Sequence, residues 1–337
     1  MKGVILLASA TVATLLYTLK SLADQTILSD DYRRTQIAEE INSQNLSWKA
    51  SDYAELRDEI SFKTGLLDGN SENLMSAHAG GLLGSSNYSP EQLRAVPDSF
   101  DARTAWPNCE SIKDIRNQAK CGSCWAFSAA TVMSDRFCIA SGQKIQTRLA
   151  PQDVLTCCFS CGHGCSGGFT TSAWFYFINS GLVSGNHYGD NSMCQPYTVD
   201  PTVNTSSTTP QCKRTCVNGK NYFGDKVYAK NAYLVVGEEQ MKAEVSTNGP
   251  ISISITTYED FSTYKTGVWW HKTGNSRGGH AMRLVGYGSE DGIPYWIVAN
   301  TWGDKWGENG FIRIRRGTNE CGIEAEGVAG LVDVPNA

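Results

Sequence analysis

The sequence predicts an α+β protein whose helices come first and whose strands come later, with a cleft between the two halves. An apolar, Ala-rich run opens at Cys124 and continues through Trp125, Ala126, Phe127, Ala129, Ala130, Val132 and Met133, which reads as a buried helix. Two more helical patterns follow, Leu149 to Cys157 and Gly168 to Ser180, the second with Trp174, Phe175 and Phe177 for packing. Beyond about Tyr228 the apolar period becomes two, at Ile251, Ile253 and Ile255 and again in Phe311-Ile-Arg-Ile-Arg315, with Gly and Asn between. Two unlike subdomains leave a cleft, and boundaries of that kind host active sites.

In chain order, Lys2 and the uncharged run Gly3 to Leu19 form the basic and apolar regions of a secretory signal, and Ser21-Leu22-Ala23 supplies a cleavage site, so residues 1–23 read as a signal peptide. An uncleaved signal anchor is the alternative, with Lys20 beyond the run. Secretory entry permits disulfides, and the chain has 12 cysteines. Residues 24–95 are polar and free of cysteine, with apolar positions at Ile37, Ile41, Tyr53, Leu56 and Ile60. Such a stretch suits a small domain, a flexible leader or a removable prosegment.

The chemistry lies in Gln118 to Met133, QAKCGSCWAFSAATVM. Cys124 opens the helical run, where the positive end of the backbone dipoles favours thiolate over thiol and makes a nucleophile. Alone, Cys121 and Cys124 also suit a disulfide, a redox pair or half a zinc site completed by Cys157, Cys158, Cys161 and Cys165. The downstream residues fit thiol catalysis better. Of five histidines, His280 stands in Gly278-Gly279-His280-Ala281, at the start of the strand-like run Met282 to Tyr287. Asn300 ends another apolar strand in Val298-Ala-Asn-Thr-Trp302. An Asn oxygen that accepts from one imidazole nitrogen leaves the other facing the thiol. His78, His163 and His271 have no partner legible in the sequence.

The string Cys121-Gly-Ser-Cys-Trp125, with His280 and Asn300 in these settings, resembles the papain-like cysteine proteases, and among them the cathepsin B type, from about Ile41 to the C-terminus. The resemblance implies a papain-like two-subdomain fold, with a helical N-terminal half and an antiparallel, β-barrel-like C-terminal half. It implies that a Cys124 thiolate paired with protonated His280 attacks a peptide carbonyl, with Asn300 orienting the imidazole and Trp302 covering it. The Gln118 amide and the Cys124 backbone N–H become the oxyanion donors. Gly162 to Gly168, reading GHGCSGG, is similar to the family's substrate-binding wall, where Gly167 and Gly168 pair with an extended peptide. Gly279, Ala281 and Thr170 become substrate contacts, and Glu326 a carboxylate at the base of the pocket for the second residue before the cut.

Ile41-Asn-Ser-Gln-Asn-Leu-Ser-Trp48 resembles the short cathepsin B prosegment, which makes residues 24–95 an inhibitory propeptide. The string Val96-Pro-Asp-Ser-Phe-Asp-Ala-Arg103, similar to the family's mature N-terminus, puts the start of the folded core, residues 96–337, there and leaves the position of a cut between Ser85 and Val96 open. A catalytic Cys124 leaves eleven cysteines of the 12, an odd number, so at least one more is free. The resemblance suggests Cys109–Cys138, Cys121–Cys165, Cys157–Cys212, Cys158–Cys161 and Cys194–Cys216, with Cys321 unpaired. The chain departs from cathepsin B between Cys194 and Cys212. There QPYTVDPTVNTSSTTPQ replaces a longer loop whose paired histidines hold a substrate's terminal carboxylate. An open cleft with endopeptidase activity, and weak or absent dipeptidyl carboxypeptidase activity, is expected. His187, just before this region, is the one candidate substitute.

Asn45, Asn87 and Asn204 begin N-glycosylation sequons. The net charge of −5 offers no basic stripe for nucleic acid, and the sequence calls for no metal or cofactor. Expected partners are protein and peptide substrates, the chain's own propeptide and cystatin-like inhibitors, with no membrane association after signal cleavage. The resemblance implies a lysosome-like or vacuolar compartment, or secretion.

Overall fold

The computed structural model describes residues 30–56, 62–67, 84–203 and 205–334. The expected signal peptide, His78, Ile60 and the Asn204 sequon lie outside them. The central helix, Cys124–Ala140, is buried from Cys124 through Cys138 because it carries no polar face. Its polar residues are satisfied inside the protein: the Ser134 hydroxyl donates to Ala130 O at 2.7 Å, and the Arg136 guanidinium pairs with Glu244 at 2.7 Å. Around it pack Pro151–Cys157 and Thr170–Ser180, with Trp125, Phe127, Trp174 and Phe177 forming the core of this half. Both flanking helices begin two residues later than their apolar patterns. Leu149 pairs with Ser184, and Gly168 gives its N–H to Gly65 O, so neither is free to enter a helix.

The second half is one sheet laid around the long strand Ser276–Glu290, with Ile251–Tyr258 on one side and Ile293–Ala299 on the other. Phe311–Arg315 and Tyr264–Trp269 extend it in one direction, and Gly327–Ala329 and Tyr233–Val235 in the other. The α+β architecture is the one read from the sequence, while the sheet differs from a barrel in two respects. It does not close, and two of its pairings are parallel, Tyr264–Trp269 with Phe311–Arg315 and Gly84–Ser85 with Tyr233–Val235.

The N-terminal segment covers both sheet edges: Trp48–Ala50 adds to Tyr264–Trp269, and Gly84–Ser85 adds to Tyr233–Val235. At the first edge Trp48 is 1% exposed, with its ring 6.4 Å from those of Tyr264 and Trp269. Gly267 opposite it has φ +97°, and a side chain there would meet Ser47 O at 2.3 Å, so the close strand approach needs glycine. Ile37 and Ile41, on helical residues 30–42, complete the same core. No helix of the described residues is long and apolar enough to cross a membrane.

Loss of a buried Trp side chain costs about 3–5 kcal/mol. Trp48→Ala is therefore expected to loosen the N-terminal segment selectively. Limited proteolysis at neutral pH should clip that segment at least tenfold faster than in wild type while the core stays intact; equal rates would show that Trp48 does not anchor it.

Candidate active site

Cys124 is the first residue of the central helix, so its position is set by a rigid, buried element. The preceding Ser123 makes no side-chain cap; its hydroxyl lies 3.0 Å from the Tyr197 hydroxyl instead. The thiol is approached by the backbone N–H groups of Ala281, Gly65 and Trp125, which sets it beside the residue that follows His280. The helix is tied to the sheet there: the Ser128 hydroxyl donates to Met282 O at 2.7 Å.

His280 lies inside the long strand, opposite Ile255, rather than at a strand's start. Its Nε2 is 2.8 Å from Asn300 Oδ1, and that oxygen also accepts from Thr301 N at 2.7 Å. An atom accepting from a backbone N–H is the amide oxygen, so Nε2 carries the hydrogen and Nδ1 is the basic nitrogen. Among the described residues Nδ1 has no hydrogen-bond partner. The Trp302 ring lies 4.9 Å from the imidazole at 30°, and Trp302 is buried.

Gln118 is held on every side but one. Its backbone N–H bonds Thr301 O at 2.9 Å, its Oε1 accepts from the Thr301 hydroxyl at 2.5 Å, and its Nε2 donates to Cys121 O at 2.7 Å. One amide hydrogen is left over. The Tyr197 hydroxyl donates to Gln118 O at 2.8 Å, so Tyr197 and Thr301 both position this amide. Neither could be found in the sequence, because their roles depend only on contact across the fold.

Residues 62–67 run through the cleft. Leu66 N bonds Gly279 O at 3.1 Å, Leu67 N bonds Gly168 O at 3.1 Å, and Trp302 Nε1 donates to Lys63 O at 2.9 Å. Gly65 lies over Gly122, where a Cβ would fall 2.0 Å from the carbonyl oxygen. The segment thus crosses the nucleophile's loop with backbone alone. Gly168 is equally constrained: a Cβ there would meet the Trp125 ring at 2.5 Å. Gly167 has φ +113° and sits against Leu67.

This cover changes the charge state expected from the sequence. Burial pushes the Cys124 thiol up to about 11 and the His280 imidazole down to about 4, the bond to Asn300 opposing the latter. The covered pair is therefore a thiol and a neutral imidazole. Burial disfavours the thiolate–imidazolium pair, and residues 62–67 lie over this part of the cleft.

Glu326 is half-buried, and burial raises its carboxyl above the ordinary value. One residue beyond the pair Gly327 and Ile253, it falls opposite Ser254, which pairs with Ala281. Glu326 thus precedes the strand next to the Ser254–Ala281 pair, and Ser254 is the neighbour that the sequence did not disclose. Thr170 is buried with its hydroxyl unpartnered among the described residues. Glu324 is instead structural, accepting from Trp296 Nε1, Gly317 N and Asn319 N.

Disulfides join Cys109 to Cys138, Cys121 to Cys165, Cys157 to Cys212, Cys158 to Cys161 and Cys194 to Cys216, and leave Cys124 and Cys321 free. The short loop between Cys194 and Cys212 folds onto the nucleophile's own loop: Ser207 N bonds Lys120 O at 2.9 Å, and the Thr209 hydroxyl accepts from Cys165 N at 2.9 Å. His187 is engaged elsewhere, with Nε2 2.9 Å from Asp114 Oδ1. Although burial opposes it, His187, Arg116 and Arg148 hold the Asp114 carboxyl well below the usual range. His271, for which the sequence named no partner, stacks on Tyr258 with ring centres 3.7 Å apart and lies 3.1 Å from the Asp260 carboxylate. Asn45 and Asn87 are exposed.

A thiol at a helix start, an imidazole bonded to Asn300 and the Gln118 amide on the segment leading into that helix bring together the groups that nucleophilic acyl transfer requires. Residues 96–331 match the family described as "Papain family cysteine protease". The chain belongs to that family of cysteine peptidases and, within it, to the cathepsin B type. Similar proteins are "Cathepsin B-like cysteine proteinase 4" of Caenorhabditis elegans, 48% identical over 71% of this chain and 76% of the relative, and "Cathepsin B-like cysteine proteinase 5" of the same organism, 47% identical over 71% and 76%. Among solved structures, "proCathepsin B S9 from Trypanosoma congolense" is similar with TM-score 0.74 and 36% identity, over 89% of this chain and 98% of that one. "Recombinant stem bromelain precursor" follows at TM-score 0.68 and 25% identity, covering 92% of each.

The cover should respond to acid. An exposed imidazole protonates near pH 6.5, while the covered one resists until about 4, so the cover's contribution is complete above 6.5 and is lost as pH falls toward 4. At about 1.4 kcal/mol per pH unit, on the order of 3 kcal/mol is the upper bound of the shift toward the open state, because the Trp302 ring stays on the imidazole when the segment leaves. With Cys124→Ser preventing self-cleavage, clipping of residues 57–83 by an added protease should accelerate across this window. His280→Gln should lose that part of the acceleration; identical pH profiles with and without His280 would refute the linkage.

Proposed function

We propose that this cysteine peptidase is an endopeptidase made as a zymogen, with Cys124 as nucleophile, His280 as general base and acid through Nδ1, and Asn300 as the residue that orients it. The observation that carries the reading is the course of residues 62–67, whose backbone pairs with both Gly168 and Gly279 and passes over Gly122 beside Cys124. A groove that holds one extended chain by backbone pairing is shaped for another. Once uncovered, Cys124 attacks the peptide carbonyl. The oxyanion is met by its own backbone N–H and the spare amide hydrogen of Gln118, His280 protonates the leaving amine, and a water activated by His280 releases the acyl group. Gly167 and Gly168 hold the acyl side of the substrate. Ala281, Ser254 and Glu326, with Thr170, receive the second residue before the cut and favour Arg there.

Residues 24–95 act as the propeptide, residues 96–337 as the peptidase domain, and residues 1–23 as a signal that sends the product to a lysosome-like or vacuolar compartment or out of the cell. The described part of the loop between Cys194 and Cys212 carries no histidine, and His187 is committed to Asp114. Dipeptide release is therefore weak or absent. Cystatin-like inhibitors suit the same groove.

Matched peptides with free and amidated C-termini, digested by processed enzyme and read by mass spectrometry, test the reading. Internal cuts in both, lost with Cys124→Ala, are expected; stepwise dipeptide release confined to the free-carboxylate peptide would overturn it. Gln118→Ala is expected to lower kcat roughly 10²–10³-fold with little change in KM. Glu326→Gln should reduce the preference for Arg over Phe, two residues before the cut, by about tenfold.

A further inference from the structure

We infer that Arg277 binds a carboxylate on the leaving-group side of the cleft, so that peptides with an acidic group one or two residues beyond the cut bond are preferred. The inference rests on the endopeptidase reading above and names a specificity determinant for it. Arg277 lies three residues before His280, where the ladder with Ile251–Tyr258 is irregular: Gly278 pairs with Thr257 and Ser276 with Tyr258, which leaves Arg277 as the extra residue. Such bulges re-aim a side chain next to an active site. The strand faces the cleft here, since a Cβ on Gly279 would meet Leu66 O at 2.8 Å.

The course of the N-terminal segment gives the two sides of the cleft. Leu66 and Leu67 lie along Gly168, and Gly65 lies over Gly122 beside the nucleophile. On the other side of Gly65, the Thr64 hydroxyl donates to Arg277 O at 3.1 Å and Lys63 O accepts from Trp302. Arg277 therefore stands on the side opposite the Gly168 wall, where the departing half of a substrate lies.

The Arg277 guanidinium donates to Glu259 Oε1 at 3.0 Å and to Asp30 Oδ1 at 3.3 Å. These two carboxylates differ in kind. Glu259 is buried in the sheet subdomain and aims the guanidinium, whereas Asp30 belongs to the N-terminal segment and departs with it. Arg33, also of that segment, leaves Glu259 at the same time. Arg277 is exposed, and a guanidinium has donors to spare beyond the one nitrogen that Glu259 uses. Asp30 is thus an internal stand-in for a substrate carboxylate, and its departure opens a planar donor face matched to one. That carboxylate has two sources, an acidic side chain or the free C-terminus of a short leaving peptide.

Quenched fluorescent peptides of one sequence distinguish them: Glu or Gln at both positions after the cut with an amidated C-terminus, and the Gln peptide ending in a free carboxylate two residues past the cut. Processed wild type should cut the Glu peptide about five- to twentyfold faster in kcat/KM than the Gln peptide at low salt, and the ratio should fall with added salt. Arg277→Gln should bring the ratio near one while cutting the amidated Gln peptide at about the wild-type rate, and Arg277→Lys should keep part of the preference. A gain that depends on Arg277 and appears only with the free carboxylate assigns the same site to the substrate's C-terminus. Ratios that are unchanged by Arg277→Gln for both carboxylates overturn the inference. If the amidated Gln peptide is not cut at all in a Cys124-dependent manner, the endopeptidase reading fails and takes the inference with it.

Discussion

Nucleophile and base come from different halves of the chain, so the site depends on how firmly the central helix is fixed to the long strand. Ser128 bonds Met282 O, and Arg283 reaches back to Asp135 at 2.8 Å, both side chains being buried. Arg283 also donates to Ser111 O, Ile112 O and Asp114 O, which ties the approach to the nucleophile's loop into the same junction. A buried ion pair of this kind adds little net stability over an apolar contact, but breaking it is costly, because the partner is left charged and dry. It therefore specifies position more than it stabilises. One residue pair on the helix and one on the strand thereby set where Cys124 meets His280.

The same closeness makes the site sensitive to water. Cys124, His280, Asn300 and Gln118 are all buried, with Gly65 of the N-terminal segment over Gly122 beside the thiol. In that dry setting charge separation is disfavoured, and the backbone N–H groups around Cys124 do not outweigh desolvation. The segment thus acts twice, by filling the groove and by adding to the burial that disfavours the ion pair.

The segment also completes the sheet. With both edges covered by Trp48–Ala50 and Gly84–Ser85, unpaired strand groups are hidden until the segment departs. Its departure exposes, around the cleft, the backbone of Gly168 and Gly279 and the guanidinium of Arg277. The proposed engagement of an extended peptide with an acidic leaving half rests on these groups.

Much of this protein could be read along the chain. The apolar run after Cys124, the period-two strings at Ile251 and Phe311, and the settings of His280 and Asn300 are local patterns, and local backbone geometry obliges helices and strands to display them. The α+β order follows from such patterns, whereas the candidate triad also needed the resemblance of Cys121-Gly-Ser-Cys-Trp125 to the papain-like proteases. The helix starts at Pro151 and Thr170 did not, because tertiary pairing claimed Leu149 and Gly168 first. Tyr197 and Thr301 behind Gln118, Ser254 beside Glu326, Asp260 beneath His271 and the cover over the thiol were also invisible. Each is a contact between distant positions, and no periodicity records which distant residue will arrive. Charge state belongs with them: Cys124 carries the same helix dipole in any solvent, but whether it ionises is decided by what the folded chain lays on top of it.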